Sequence, residues 1–243
     1  APGVHEFTLE AELNYAFTRG GSRAPAYNSI VAAGENACIL HYDRNDAEVK
    51  DGDLILIDAG CEYKYYASDI TRTFPANGTF NPQQRAIYEL VLKAQDSAID
   101  AVQPGAPWDA PHNASVRVIT QGLIKLGLIE GTLAKAIKAE AYRDFYMHRV
   151  GHWIGIDVHD VGDYKIDEKW RLLEPGMVTT IEPGIYIAPD NKRVPKKWRG
   201  IGVRIEDDVL VTKNGNRVLT TGIPKTVAEI ETFMALAKQK RAA

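Results

Sequence analysis

The first half of the chain contains the sequence Asp53-Leu54-Ile55-Leu56-Ile57-Asp58-Ala59-Gly60. Four consecutive branched apolar residues predict a strand that is buried on both faces, and the Ala-Gly pair that follows predicts a turn. The next segment, 62–74, is rich in Tyr, Thr and Ile, so it predicts a return strand and a β-hairpin. Asp58 ends the first of these strands, and Asp69 lies on the second. Because an unpaired buried carboxylate is costly, both acids need an explanation.

Other elements come in blocks around this hairpin. Apolar spacing predicts helices over 8–19 and 109–126, and short strands over 29–33, 38–41, 178–182, 184–187 and 202–211. The sequence Asn81-Pro82-Gln83-Gln84 is typical of a helix start, and Pro104-Gly105 ends that helix. A capping box, Thr226–Glu229, opens a last helix, whose predicted buried face is Val227, Ile230, Phe233, Met234 and Ala237. Blocks of strands and helices favour an α+β fold with a largely antiparallel sheet.

Composition excludes several classes of function. The 243 residues are 45% hydrophobic and 25% charged, with a formal net charge of -3, so neither a nucleic acid nor an anionic membrane is expected as a partner. No apolar run approaches the ~20 residues that span a bilayer. Two cysteines, Cys38 and Cys61, predict free thiols in a reducing, cytoplasmic compartment. The first residues lack the basic and apolar regions of a signal peptide, and without an initiator Met we expect a segment to precede them.

Two further acids, Glu182 and Glu206, also interrupt strands that otherwise resemble core. Taken singly, each acid has an ordinary structural explanation. Asp58 would be a turn residue, and Asp69 would pair with Arg72. Glu182 would face water at a strand end, and Glu206 would belong to a solvated acidic patch with the two aspartates that follow it.

Histidines near these acids favour a functional site instead. Three of them, His148, His152 and His159, lie within twelve residues. His148 and His152 have the spacing of a helical zinc pair, but no Glu follows His148 and glycines interrupt the segment, so this is not an H-E-x-x-H site. Four carboxylates and one imidazole form an oxygen-rich set that suits Mn²⁺ and balances two divalent ions. Such ions would remove a repulsion of roughly 4 kcal/mol between charges ~4 Å apart, and so should stabilise the fold.

Six motifs occur together in the order of one known family. They are Ile57–Gly60, Ser68–Pro75, Gly151–Gly155, Val158–Gly162, Ile181–Tyr186 and Arg199–Asp207. In this order they resemble the aminopeptidase P and prolidase group of the "pita-bread" metallopeptidases, over nearly the whole chain. The resemblance implies a single catalytic domain over 1–243, with a curved, mostly antiparallel sheet, outer helices and two pseudo-symmetric halves. The N-terminal domain usual in this group is absent from the chain.

The resemblance also implies roles for individual residues. The metal ligands would be Asp58, Asp69, His152, Glu182 and Glu206, holding two divalent ions, with Asp69 and Glu206 between them. Mn²⁺ is the expected metal, with Zn²⁺ or Co²⁺ as alternatives. The catalytic set would be Glu182 as proton carrier, His148 and His159 as oxyanion or proton-transfer groups, and His41 and Arg204 beside them. The substrate would lie near Tyr27, Tyr186 and His159.

The activity implied is release of the N-terminal residue from peptides with proline in second position, by an enzyme that could form a homo-oligomer. An Xaa-Pro dipeptidase shares every metal motif and stays open as an alternative. A methionine aminopeptidase fits the chain length, but 71–75 and 199–202 resemble the proline group. A binding module that kept the fold and lost catalysis would usually have lost ligands, and all five are present.

Overall fold

The computed structural model describes residues 2–242. The helices are α1 (Glu6–Arg19), α2 (Pro82–Asp100), α3 (Ala110–Lys125), α4 (Leu133–Lys138) and α5 (Val227–Ala242). The strands are β1 (Ala24–Pro25), β2 (Ile30–Ala33), β3 (Leu54–Asp58), β4 (Cys61–Glu62), β5 (Thr71–Pro75), β6 (Lys165–Ile166), β7 (Lys169–Trp170), β8 (Val178–Ile181), β9 (Gly184–Ile187), β10 (Ile201–Arg204), β11 (Asp207–Thr212) and β12 (Gly215–Val218). The strand pairings between them are antiparallel.

The predicted hairpin forms the centre of a three-stranded sheet in the order β2-β3-β5. Leu54 lies opposite Pro75, and Asp58 lies opposite both Ile30 and Thr71. The return strand is shorter than predicted, because its first part leaves the sheet as β4 and pairs with β1. Asp69 therefore lies in an irregular segment just before β5. Side chains in this segment do not have to alternate between the two faces of a sheet.

A second three-stranded sheet, β12-β11-β8, and the β9-β10 pair make up the other half. The single strand predicted over 202–211 was wrong, since the chain passes there from β10 in one sheet to β11 in another. Glu206 lies at this break, and its N–H donates to the Thr71 carbonyl of the first half at 3.0 Å. The break thus places the acid at the junction of the two sheets.

The strand predicted over 38–41 is also absent. A short 3-10 helix, Gly34–Cys38, replaces its beginning and a turn follows. The chain turns here because the Tyr42 hydroxyl donates to the fully buried Glu6 carboxylate at 2.7 Å, which ties this loop to α1. Tertiary contacts have overridden the local strand preference.

Helix starts were predicted more accurately than helix faces. The Asn81 capping box is formed, with the Gln84 N–H donating to Asn81 at 2.9 Å, although the helix ends at Asp100, before the predicted stop. The Thr226 capping box is formed as well. The buried face of α5 was wrong at Phe233, which is 59% exposed, because α5 meets the core only along Val227, Ile230 and Met234.

The main core lies between α2, α3 and the β9-β10 pair. Ile87, Val91 and Ile119 from the helices pack with Ile185 and Val203 from the strands. This core supports the sheets from outside and leaves their junction open on the opposite side. Within residues 2–242, no helix is long and apolar enough to cross a membrane.

Candidate metal centre

The five predicted metal ligands all line one cavity of about 610 Å³ at the junction of the two sheets. Asp58 ends β3, Asp69 precedes β5, Glu182 follows β8, and Glu206 lies between β10 and β11. His152 comes from a loop beside β8, where its carbonyl accepts the Thr180 N–H at 3.0 Å. The elements that carry these residues are far apart in sequence, so the two halves together form the site.

Gly151 lets the histidine loop approach β8 closely. A Cβ atom at this position would lie 1.9 Å from the Thr180 carbonyl oxygen, so a larger residue would push the loop away. The segment around it is irregular, as the glycines predicted, and contains no helix across 148–152. The close approach directs the His152 imidazole toward the acids.

Three of the five residues form a compact group of donor atoms. Asp69, His152 and Glu206 each offer one ligand atom, and these atoms all lie within 4.8 Å of one another. The His152 Nε2 atom is 3.4 Å from Asp69 Oδ2 and 3.6 Å from Glu182 Oε1. Asp58 is held at the side by Arg204, whose Nη2 atom lies 2.6 Å from Asp58 Oδ2.

The acids in this cavity carry more negative charge than the neighbouring side chains neutralise. Glu206 is only 1% exposed, and its pKa is well above the usual range because of burial and repulsion from Asp69, Glu182 and Asp58. Burial likewise raises the pKa of Glu182 to about 7, against the opposing effects of His152 and Arg204. A set of close, buried carboxylates with one imidazole fits divalent cations, which would remove the repulsion and favour the ionised acids.

Tyr27 joins two of the acids by hydrogen bonds. Its hydroxyl lies 2.6 Å from Asp58 Oδ1 and 2.5 Å from Asp69 Oδ1. Burial, followed by repulsion from Asp58, Asp69 and Glu206, raises the pKa of Tyr27 well above its ordinary value, so the hydroxyl stays protonated and donates. Tyr27 therefore lies in the cavity beside the acids, and its contact with substrate stays a prediction.

A hydrogen-bonded series links three other predicted residues. Arg204 Nη1 donates to the Tyr186 hydroxyl at 3.1 Å, and that hydroxyl lies 2.9 Å from His148 Nε2. His148 Nδ1 lies 2.7 Å from the Arg149 carbonyl, so Nδ1 carries the proton and Nε2 accepts from Tyr186. Burial and the Arg204 charge lower the pKa of His148 to about 3, which keeps the ring neutral.

The two remaining histidines lie nearer to solvent. The exposed His159 ring packs edge-on against His152, with centroids 4.4 Å apart. His41 is exposed and lines the cavity mouth. Both rings are therefore accessible to a molecule that enters the cavity.

Several residues behind the acids escaped the sequence analysis. Arg72 pairs with Asp207 at 2.7 Å, so the suggested Asp69–Arg72 pair is absent. Asp207 and Asp208 are 1% and 5% exposed, which excludes the solvated acidic patch. The Thr71 hydroxyl donates to Glu206 Oε2 at 2.6 Å. The sequence did contain a signal for the Arg72–Asp207 pair. Arg72 lies within an otherwise buried strand, and a buried arginine needs a buried acid as partner.

The metal-free protein is expected to lose stability between pH 7 and pH 9. Burial lowers the pKa of His152, but Asp69 and Glu182 outweigh it and raise the pKa from 6.5 to about 9. A raised pKa stabilises the fold fully below 6.5, and this stabilisation is lost as the pH passes 9. The loss between pH 7 and 9 should be about 2 kcal/mol, which melting curves of chelator-treated protein measure. This value of about 2 kcal/mol is the part of the loss that His152 contributes, so the variant His152→Asn should make the slope shallower, leaving the part that comes from the buried acids Glu182 and Glu206. A wild-type melting temperature that rises over this range would contradict the assignment.

Comparison with known proteins identifies the family of the chain. The model of metallopeptidase family M24 matches residues 1–213. An Xaa-Pro aminopeptidase of Haemophilus influenzae is 54% identical over 96% of the chain and 54% of its own length. A human Xaa-Pro dipeptidase is 40% identical, again over 96% of the chain and 54% of its own length. The chain thus spans about half the length of these relatives.

Solved structures show the same fold. The aminopeptidase PepP of Pseudomonas aeruginosa superposes with a TM-score of 0.97 at 67% identity, over 98% of the chain and 54% of that structure. The pita-bread α+β fold with mixed helices and antiparallel sheets is thereby confirmed. Together with the family match, these findings establish that the chain belongs to metallopeptidase family M24.

Proposed function

We propose that this chain is the catalytic part of a dinuclear metal-dependent Xaa-Pro aminopeptidase, which releases the N-terminal residue from peptides with proline in second position. The observation that carries the proposal is the convergence of Asp69, His152 and Glu206 within 4.8 Å in a cavity that Asp58 and Glu182 also line. The names of the most similar relatives support the substrate class.

Five residues would hold the two ions. They are Asp58, Asp69, His152, Glu182 and Glu206, of which Asp69, His152 and Glu206 offer the most closely spaced donor atoms. The oxygen-rich composition favours Mn²⁺, with Zn²⁺ or Co²⁺ as alternatives. When bound, such ions polarise a carbonyl and lower the pKa of water.

Glu182 would carry the proton in the reaction. Burial raises its pKa to about 7 without metal, and bound cations would shift it downward, so the ionised group could accept a proton from water and later donate it to the leaving nitrogen. The nearest charged neighbour, His152 Nε2 at 3.6 Å, holds it at the cavity floor. His159 would stabilise the developing oxyanion from the open side, where its ring is accessible.

His148 and His41 would assist the reaction without contacting the proposed metal ions. His148 is neutral, and both its ring nitrogens are engaged, with the Arg149 carbonyl and with Tyr186. It would therefore keep Tyr186 and Arg204 in position until the substrate replaces one of the two hydrogen bonds of His148. His41, at the mouth, would contact the peptide or assist proton transfer there. Tyr27 and Tyr186 would contact the residue released.

Proline in second position fits a site that acts through the carbonyl. The nitrogen of an Xaa-Pro bond carries no hydrogen, so an enzyme that binds this N–H fails on it. The α-amino group of the substrate would lie beside the carboxylates that hold the ions, where carboxylate oxygens can accept its hydrogen bonds. The N-terminal residue would thus be aligned without any contact to a hydrogen on the scissile nitrogen.

Location and assembly form part of the same proposal. Cys38 and Cys61 are both free thiols in the structure, which favours a reducing, cytoplasmic compartment. The family resemblance supports a homo-oligomer, and the mild net charge of -3 gives no reason to expect nucleic acid or membrane partners.

Substrate comparison tests this proposal. Mn²⁺-loaded protein should hydrolyse an Xaa-Pro-peptide faster than the matching Xaa-Pro dipeptide, and both faster than a Met-Ala-peptide. A preference for the dipeptide would favour an Xaa-Pro dipeptidase, as the human relative is named. A preference for Met-Ala would favour a methionine aminopeptidase. No hydrolysis of any of them with bound metal would indicate a binding module.

A further inference from the structure

Arg149 is a cationic residue at the cavity, and the proposed mechanism gives it no role. Its exposed side chain lines the cavity together with the acids and histidines. Among the ion pairs found across residues 2–242, none involves Arg149. The charge is therefore available to a molecule that enters.

Trp170 holds this guanidinium in place. The guanidinium carbon lies 4.8 Å from the centroid of the Trp170 ring, which also contacts Lys165 Nζ at 4.7 Å. Trp170 belongs to the β6-β7 hairpin, in which it pairs with Lys165. The hairpin is fixed at its base, where the Trp108 N–H donates to the Arg171 carbonyl at 2.8 Å. Stacking on an aromatic face leaves the N–H edge of an arginine free for a planar, bidentate acceptor.

The charge distribution gives the cavity a direction. Two divalent ions would balance the four carboxylates of the proposed metal ligands, whereas Arg149 is positive and has no acidic partner in the cavity. A peptide is itself a dipole with a positive N-terminus and a negative C-terminus. The amino end of the substrate must lie at the proposed metal ligands for its bond to be cleaved there, so electrostatic complementarity places the carboxylate of a short peptide at Arg149.

We propose that Arg149 binds a carboxylate of the peptide substrate on the leaving-group side of the scissile bond, and that Trp170 is the residue that positions it. The inference rests on the proposed peptidase function and names its preferred substrate class as short or acidic peptides. Two sources share this chemistry: the C-terminal carboxylate of a short peptide, and the acidic side chain of a longer one.

Paired substrates test the proposal and separate the two sources. One arm compares Ala-Pro-Ala with Ala-Pro-Ala-amide, and extends both by one and two alanines. The other compares Ala-Pro-Glu-amide with Ala-Pro-Gln-amide. In at least one of these two comparisons, the kcat/KM of wild-type protein should be about 10- to 100-fold higher for the substrate with the carboxylate than for the matching amide. This is the effect expected of a charge-assisted hydrogen bond. The ratio cancels any general loss of activity in a variant.

Variants assign the effect to the two residues. Arg149→Gln should bring the ratio close to one, and Arg149→Lys should restore only part of it, because lysine keeps the charge but not the fork. Trp170→Leu should reduce the ratio and Trp170→Phe should restore it. Arg117→Gln, an exposed arginine on α3, is the matched control and should keep the wild-type ratio.

Calorimetric binding of Pro-Ala and Pro-Ala-amide supplies the same comparison without turnover. If the protein hydrolyses no Xaa-Pro-peptide, the proposed function fails, and this binding ratio still decides the role of Arg149. A wild-type preference for acid that persists unchanged in Arg149→Gln would overturn the inference. So would equal treatment of acid and amide by the wild type at every length and in both arms.

Discussion

Glu206→Gln is expected to weaken metal binding by more than ~100-fold and to lower kcat by ~1000-fold or more. A change of a residue that only supports a ligand costs 10- to 100-fold in metal affinity, so loss of a shared ligand should cost more. The rate loss follows because metal polarisation contributes several kcal/mol to the reaction. Calorimetric titration with Mn²⁺ and steady-state kinetics measure the two effects.

The same variant should stabilise the metal-free protein. Burial and the repulsion from Asp69, Glu182 and Asp58 disfavour the ionised Glu206, whose pKa they raise. Glutamine has nearly the same volume, keeps an acceptor for the Thr71 hydroxyl and carries no charge. The melting temperature of metal-free protein should therefore rise, by about 2–4 °C per kcal/mol of relieved strain.

If Glu206 is a metal ligand, Glu206→Gln should raise the melting temperature of the metal-free protein and lower that of the metal-loaded protein. These opposite effects distinguish a metal ligand from a purely structural residue. A structural glutamate would lower the melting temperature with and without metal when replaced. The exposed Glu130→Gln is the control and should change neither quantity. Wild-type metal affinity in Glu206→Gln would show that this residue is not a ligand.

Glu182→Gln is expected to lower kcat by about 100- to 10,000-fold, the range for loss of a general acid–base group. The amide keeps the size of the side chain but can neither accept nor deliver the proton. Because Glu182 is also a proposed ligand, metal affinity should fall as well. Measuring kcat at saturating Mn²⁺, with bound metal determined in the same samples, separates the two losses.

The pH profile gives a second readout for this residue. In the wild type, the rate should depend on a group whose pKa derives from the value of about 7 that Glu182 has without metal, shifted downward by the cations. Glu182→Gln should lose this limb of the profile. Retention of the limb, or a metal-saturated variant with wild-type kcat, would assign the proton transfer to another group.

Local chemistry predicted much of the frame. The apolar run 54–57, the caps at Asn81 and Thr226, and the misplaced acids were all readable, because each depends on near neighbours in sequence. The resemblance then implied five metal ligands, which stay a prediction. The structure brings all five to one cavity and places Asp69, His152 and Glu206 close together.

What the sequence did not reveal depends on contacts between the two halves. The strand break at Glu206 arises because its N–H bonds to Thr71, 135 residues earlier. The Arg72–Asp207 pair joins the same distant segments. Phe233 was included in the predicted buried face, yet it is exposed. The reason is that α5 turns it away from the core, against which the helix packs along Val227, Ile230 and Met234. Likewise, nothing near Arg149 in sequence indicates that Trp170 stacks on it.

The most direct test of the account is anomalous diffraction from crystals of the protein grown with Mn²⁺, recorded on both sides of the manganese absorption edge. The account predicts two peaks per chain in the cavity between the sheets, bounded by Asp58, Asp69, His152, Glu182 and Glu206. A cavity without such peaks, in crystals of protein proven active with Mn²⁺, would contradict it.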